Sequence, residues 1–361
     1  MIIGEFYTLI GIFILIFLHL IDYFILLDSL IMIQFQTSIL IYIGCFNCLK
    51  KFFFENEENI NMKIIKRKDA ILYAFKGSLI LLGIYISLKI FNHNFINFIF
   101  DIYFIYYNTY SISCFIKGKI SYIPYLRKYN NINLLTIKKI PLIKESFIMI
   151  SQLDILLYII GFFISIPYYI SKNWKLNNLI GIILSLNSME NIFLGEFKIG
   201  IILFFSLFIY DIFFVYFTNV MSKIIIDLDI PILLKFPNKK IPVLKSDFST
   251  IGLGDIIIPG IFISLMLRFD IIQLINKNKK LNQLRMSYLN LKYFFNSLIG
   301  YFIGIFFSIS TMIIFNHAQP ALLFIVPIIL FIIFFTSLIF NEFTTIWNFN
   351  EITFIKNKKN I

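Results

Sequence analysis

Two aspartates stand inside apolar stretches of this chain, Asp211 in Phe208-Ile209-Tyr210-Asp211-Ile212-Phe213 and Asp255 in Gly252-Leu253-Gly254-Asp255-Ile256-Ile257. A carboxylate near the centre of a bilayer costs roughly 3 kcal/mol on insertion scales, so a chain that keeps two of them needs a chemical reason for each. Two neighbouring carboxylates share a proton, because both do not ionise readily at close range. The ionised member can take a proton from water while the protonated member donates to a carbonyl oxygen, which is the acid and base pair that peptide-bond hydrolysis needs. The pair titrates as a unit, and the sequence does not assign the acid and the base. Water is the nucleophile in such a reaction, and no metal or organic cofactor is implied.

The elements that must position these groups are membrane-spanning helices. The chain has 361 residues, 59% of them hydrophobic and only 14% charged, which excludes an ordinary soluble domain. A helical span needs about 20 mostly apolar residues. Stretches of that kind fall near 29–49, 70–91, 95–116, 153–171, 176–194, 198–220, 248–267, 293–315 and 319–340, giving nine core spans in an all-α polytopic bundle. A further apolar run at residues 6–27 reads as a signal-like segment or an extra span, with an uncleaved segment favoured because Met1-Ile2-Ile3-Gly4-Glu5 lacks a basic start. Asp211 precedes the end of its span and Asp255 follows the start of the next. At 1.5 Å per residue both carboxylates are expected about 10 to 14 Å below one face, side by side on antiparallel helices.

Charge orients the spans. Placing the segment after the first span in the cytosol puts 23 Lys and Arg on that side and 7 on the other, which predicts a cytosolic C terminus. The net charge of +12 is then explained by basic loops beside an anionic leaflet, and no nucleic-acid partner is required. Cys45 and Cys48 form a Cys-x-x-Cys at a span end without a second pair or neighbouring histidines, so packing is their expected role. Asp101, Asp154 and Glu190 lie in or at the ends of spans and are read as structural acids.

Around Asp255, Gly252 and Gly254 remove side chains beside the carboxylate, and Pro259 cannot donate the helical hydrogen bond that the Asp255 carbonyl would accept. A loosened, hydrated helix is expected over 252–259. Near the last span the chain reads His317-Ala318-Gln319-Pro320-Ala321-Leu322-Leu323, where Pro320 suits a first helical turn and Ala321 permits close helix approach.

Tyr210-Asp211, Gly252-Leu253-Gly254-Asp255 and Pro320-Ala321-Leu322, in that order on the sixth, seventh and ninth core spans, resemble the signature of the GxGD intramembrane aspartyl proteases, which include presenilins and signal peptide peptidases. Thr218-Asn219-Val220-Met221, the stretch 252–270 and His317 to Pro327 look like signal peptide peptidase rather than presenilin, and Lys68-Asp69-Ala70 and Ser185-Leu186-Asn187 carry the resemblance over residues 29–345. The resemblance implies that Asp211 and Asp255 are catalytic. It places Pro320, Ala321 and Leu322 beside them as candidates for binding substrate or inhibitor, with the adjoining Gln319 added; together with the local reading of the chain it makes Tyr210, Gly252, Leu253, Gly254 and Pro259 supports of the site. The apolar run, the charge pattern and the resemblance together give an expected division into an N-terminal hydrophobic segment (1–28), a scaffold (29–194), a catalytic region (195–345) and a cytosolic tail (346–361). Expected partners are membrane lipid and transmembrane peptides, namely signal peptide remnants and type II membrane proteins, with homo-oligomerisation and endoplasmic reticulum degradation machinery left open. The C-terminal Lys358-Lys359-Asn360-Ile361 resembles a dilysine retrieval signal and points to the endoplasmic reticulum membrane. Two other classes compete: a proton-coupled transporter, which would predict inverted repeats that are not evident here, and a protein that binds membrane clients without cutting them.

Overall fold

A computed structural model describes residues 2–25, 27–54, 63–91, 93–120, 133–137, 148–214, 218, 231–238, 248–278, 291–315 and 319–357. Helices account for most of them: α1 (Ile2–Ile25), α2 (Ser29–Phe54), α3 (Arg67–Ile90), α4 (His93–Ile120), α5 (Gln152–Ser171), α6 (Trp174–Asn191), α7 (Phe197–Ile212), α8 (Gly254–Asn278), α9 (Lys292–Phe315), α10 (Leu322–Ile339), α11 (Phe343–Trp347) and α12 (Glu351–Asn357). Each of the nine expected core spans overlaps a helix, α2 to α10 in order. Five of them, α2, α3, α5, α9 and α10, are long and apolar enough to cross a membrane on length and composition alone. Outward-facing side chains such as Phe13, Phe163, Ile170 and Phe331 are large and apolar, as a lipid solvent demands.

Buried side chains place α2 at the centre. Its apolar stretch is 72% buried against 6% for α3, which stands at the rim and packs mainly on α7. Around α2 lie α1, α6, α8 and α9. Residues 6–25 of the apolar run belong to α1, which packs along α2 with Tyr7 stacked on Phe46 at 4.6 Å. Gly300 and Gly304 on α9 let α10 approach until a Cβ on Gly304 would stand 2.7 Å from the Ile325 Cα. Asp101 pairs with Lys172 at 3.0 Å and Asp154 with Lys117 at 2.6 Å, and Asp154 also closes a capping box with Ser151 at the start of α5.

The strands correct part of the sequence reading. Three two-stranded sheets accompany the helices among the described residues: β1 (Lys63–Ile64) parallel to β4 (Ile192–Phe193), β2 (Asn133–Ile137) antiparallel to β3 (Ile148–Ser151), and β5 (Leu233–Pro237) antiparallel to β6 (Phe248–Gly252). Residues 248–252, expected as the first turns of the seventh span, are therefore a strand. Their Phe-Ser-Thr-Ile-Gly order buries Ser249 and Ile251 and exposes Thr250, a period of two that pairing with β5 satisfies. The helix starts only at Gly254, where Ile256 and Ile257 both donate to the Leu253 carbonyl, and it continues through Pro259. The expected loosening over 252–259 is thus a strand-to-helix junction ahead of Asp255.

Just past the middle of α8, Arg268 is fully buried. Its Nε donates to Glu351 Oε2 at 2.7 Å and one terminal nitrogen donates to Ser264 Oγ at 3.0 Å, while the guanidinium lies 4.7 Å from the Phe193 ring centre. Glu351 is itself 1% exposed, and its N–H donates to the Gly195 carbonyl, so the chain after α11 is seated in the bundle beneath α7 and α8. Removing one partner of a buried pair strands the other charge, at a cost of about 3 to 5 kcal/mol. Glu351→Ala is expected to lower the thermal unfolding midpoint of the purified protein strongly, whereas Lys198→Ala, which loosens only exposed contacts to Asn348 and the Trp347 ring, leaves it nearly unchanged.

Candidate active site

Asp211 is the penultimate residue of α7, and Asp255 is the second residue of α8. Both lie at the same end of two antiparallel helices, close enough for the Asp211 charge to act on Asp255. Span counting places them about two turns inside their helices. The structure puts Asp255 in the first turn of its helix, because α8 begins only after β6, while α7 passes at Phe213 into a wider turn and the expected end of its span, residues 219–220, lies outside the described residues. Asp211 is buried and Asp255 is partly open.

Gly252 is explained by distance. A Cβ there would stand 3.2 Å from Asp255 Oδ2, so the missing side chain leaves the space that the carboxylate occupies. Leu253 is buried and supplies the carbonyl on which α8 is founded, while Gly254 is exposed, and among the described residues a Cβ there would meet the Ile258 side chain at 3.9 Å. Pro259 is buried within α8. Tyr210, beside Asp211, packs its ring on Phe214 at 4.7 Å and near Gly77 of α3.

The third element arrives from α10. The Leu322 N–H, the first of that helix, donates to Asp211 Oδ2 at 3.3 Å. A helix N-terminus holds unbonded N–H groups and partial positive charge, so it receives a carboxylate favourably. Pro320 is buried and opens the turn that α10 continues, with Leu323 donating to its carbonyl at 3.2 Å. Ala321 is packed against the core and Gln319 is partly buried. Asp211, Asp255, Gly252 and Leu322 thus converge, while Tyr210, Gly254 and Pro259 flank them. His317, Ala318, Asn219 to Met221, Lys358 and Lys359 lie outside the described residues.

Several neighbours escape the sequence reading. Tyr301 of α9 is fully buried, within electrostatic range of Asp255, with its hydroxyl beside Thr37 of α2. Thr37 gives its own proton to the Ile33 carbonyl at 2.8 Å. The β5 and β6 hairpin is another, although the alternation of Phe248 to Ile251 carries a readable signal. Asn177 and Asn178, which bond to β5, have no such signal, since Asn is common throughout this chain.

Fold and site together define a multi-pass helical membrane protein with a carboxylate pair at the meeting of three helix ends. The signal peptide peptidase family model matches residues 55–353, and the chain belongs to that family. It is 33% identical to human signal peptide peptidase over 298 residues, which covers 80% of this chain and 74% of that protein. It is 36% identical to mouse signal peptide peptidase over 274 residues, covering 73% and 68%. Against intramembrane protease 2 of Caenorhabditis elegans it is 37% identical over 203 residues, which is 55% of this chain but only 42% of the worm protein's length. The family match starts after α2, so α1 and α2 stand outside it.

Filling the space beside Asp255 is the direct test of this geometry. Gly252→Val is expected to displace the carboxylate and lower peptide cleavage about a hundredfold, as misplacement of a reacting group by about 1 Å does. Thermal unfolding of the variant is the control, and a folded variant with undiminished turnover refutes the placement.

Proposed function

We propose that this protein is an intramembrane aspartyl endopeptidase that uses Asp211 and Asp255 to cleave peptide bonds within transmembrane segments. The observation that carries the reading is the meeting of the two carboxylates at facing helix ends, with the Leu322 N–H held on Asp211. In the first step the ionised aspartate takes a proton from water as the water oxygen bonds to the scissile carbonyl carbon, and the protonated aspartate gives its proton to the carbonyl oxygen. In the second, the tetrahedral diol collapses, the C–N bond breaks, the leaving nitrogen takes the proton gained from water, and the other aspartate recovers its own. The site returns to its starting charge.

Membership of the signal peptide peptidase family supports proteolysis in the membrane. Signal peptide remnants and type II oriented segments are the proposed substrates, entering from lipid and unwinding locally, because a bonded helix shields its carbonyls. The proposed address is the endoplasmic reticulum membrane with a cytosolic C terminus, on the basic-residue asymmetry and on Lys358 and Lys359. Residues 29–194 serve as scaffold and 195–345 as the catalytic region in this reading.

Purified protein with a single-pass substrate distinguishes the classes. Asp211→Ala and Asp255→Ala are each expected to abolish cleavage while client binding persists. Unchanged product in either variant defeats the dyad. A wild-type protein that binds clients without cutting them indicates a binding protein, and proton flux in its place indicates a transporter.

A further inference from the structure

The hairpin that runs into Asp255 is fastened on both sides, and one fastening has an unusual form. In the ladder of β5 and β6, Leu234 faces Ile251 and Phe236 faces Ser249, so the main-chain groups of Leu233 and Lys235 point to the outer edge of β5. There the Asn178 side chain meets Lys235 twice: Asn178 Nδ2 donates to the Lys235 carbonyl at 2.7 Å, and the Lys235 N–H donates to Asn178 Oδ1 at 2.8 Å. Asn177 Nδ2 donates to the Leu233 carbonyl at 2.6 Å. A side-chain amide carries one carbonyl and one NH2, the same pair of groups that a neighbouring strand would present. The two asparagines therefore take the place of a third strand.

The helix face that carries them is shaped for the task. Asn177, Asn178 and Gly181 lie on one side of α6, and a Cβ on Gly181 would stand 2.8 Å from the Leu234 side chain and 3.4 Å from that of Leu253. Leu234 and Asn177 are fully buried. At the far end of the hairpin, Ser29 at the start of α2 and Ser249 of β6 both donate to Asn238 Oδ1, at 2.6 and 2.5 Å. From Gly252 the chain reaches Asp255 in three residues. The orientation of the hairpin consequently fixes where α8 begins and where the carboxylate sits.

We propose that Asn177 and Asn178 are positioning residues of the active site: they clamp the outer edge of β5, set the plane of the hairpin, and so set the position of Asp255 relative to the scissile bond. Neither touches the reacting atoms. The inference rests on the aspartate-pair reading above, and its test is separable from that reading, because amide exchange at Lys235 reports the clamp without any catalysis.

The full-length protein in detergent or bilayer serves for the test, with Asp255→Ala as the zero of activity. In the wild type, and equally in Asp255→Ala, the Lys235 amide is expected to exchange slowly despite its place at a sheet edge. In Asn178→Leu, which keeps the volume and loses both bonds, that protection is expected to vanish. The kcat of the folded fraction should fall about tenfold with KM within about twofold, and product ends should spread to neighbouring bonds. Rapid Lys235 exchange in the wild type overturns the clamp. So does an Asn178→Leu protein that is less stable yet has unchanged kcat and product ends per folded molecule. If Asn178→Leu does not fold, Asn177→Leu, which removes only the bond to Leu233, takes its place: a lower kcat with spread product ends supports the clamp, and unchanged values overturn it. Cleavage by Asp255→Ala would defeat the aspartate pair while leaving the exchange result to decide the clamp.

Discussion

Main-chain N–H and C=O groups cannot be left unbonded in an apolar medium, and the site of this protein is organised by that constraint. A helix satisfies its interior groups but leaves unbonded N–H groups at its start. An active site in a membrane needs irregular chain to place two carboxylates together, and each irregularity creates polar groups that need partners. Around this site the irregularities are answered locally. The chain before Asp255 becomes a strand and bonds to β5, the outer edge of β5 bonds to Asn177 and Asn178, and the free N–H at the start of α10 bonds to Asp211.

The same rule governs the second half of α8. Arg268 is enclosed among apolar side chains and aromatic rings, and its donors are taken by Glu351, Ser264 and the Cys48 sulfur. A charge of that kind ties the segment after α11 to the helix that carries Asp255. The start of α8 and its second half are thus held by polar contacts to distant parts of the chain, and its apolar faces pack against α2, α6 and α9. A carboxylate on a helix held in this way has little freedom to move along the membrane normal, which suits chemistry that tolerates only small displacements.

Most of the architecture is legible because lipid imposes a simple pattern. Long apolar runs mark α2 to α10, and Asp211 and Asp255 stand out against them. Legibility ends where short-range pattern and long-range pairing disagree. Phe248 to Gly252 extends an apolar run, so span counting absorbs it into a helix, whereas pairing with Leu233 to Pro237 makes it a strand. The place of Asp255 within its helix is misjudged for the same reason: the count starts in residues 248–252, which are a strand, and α8 begins at Gly254. Arg268 and Glu351 lie 83 residues apart, and nothing local links them.

By itself the sequence determined the class of solvent, the approximate spans, the two acids and the motifs that surround them, since hydrophobic run length and residue identity are properties of the chain. Tertiary structure alone decided that the chain before Asp255 pairs as a strand with β5, that Leu322 reaches Asp211 across 111 residues, and that two asparagines of α6 complete the edge of a hairpin. Those are matters of which unbonded polar group finds which partner. That pairing is settled by packing in three dimensions, where the distance that counts is a few ångströms through space and not the number of residues between.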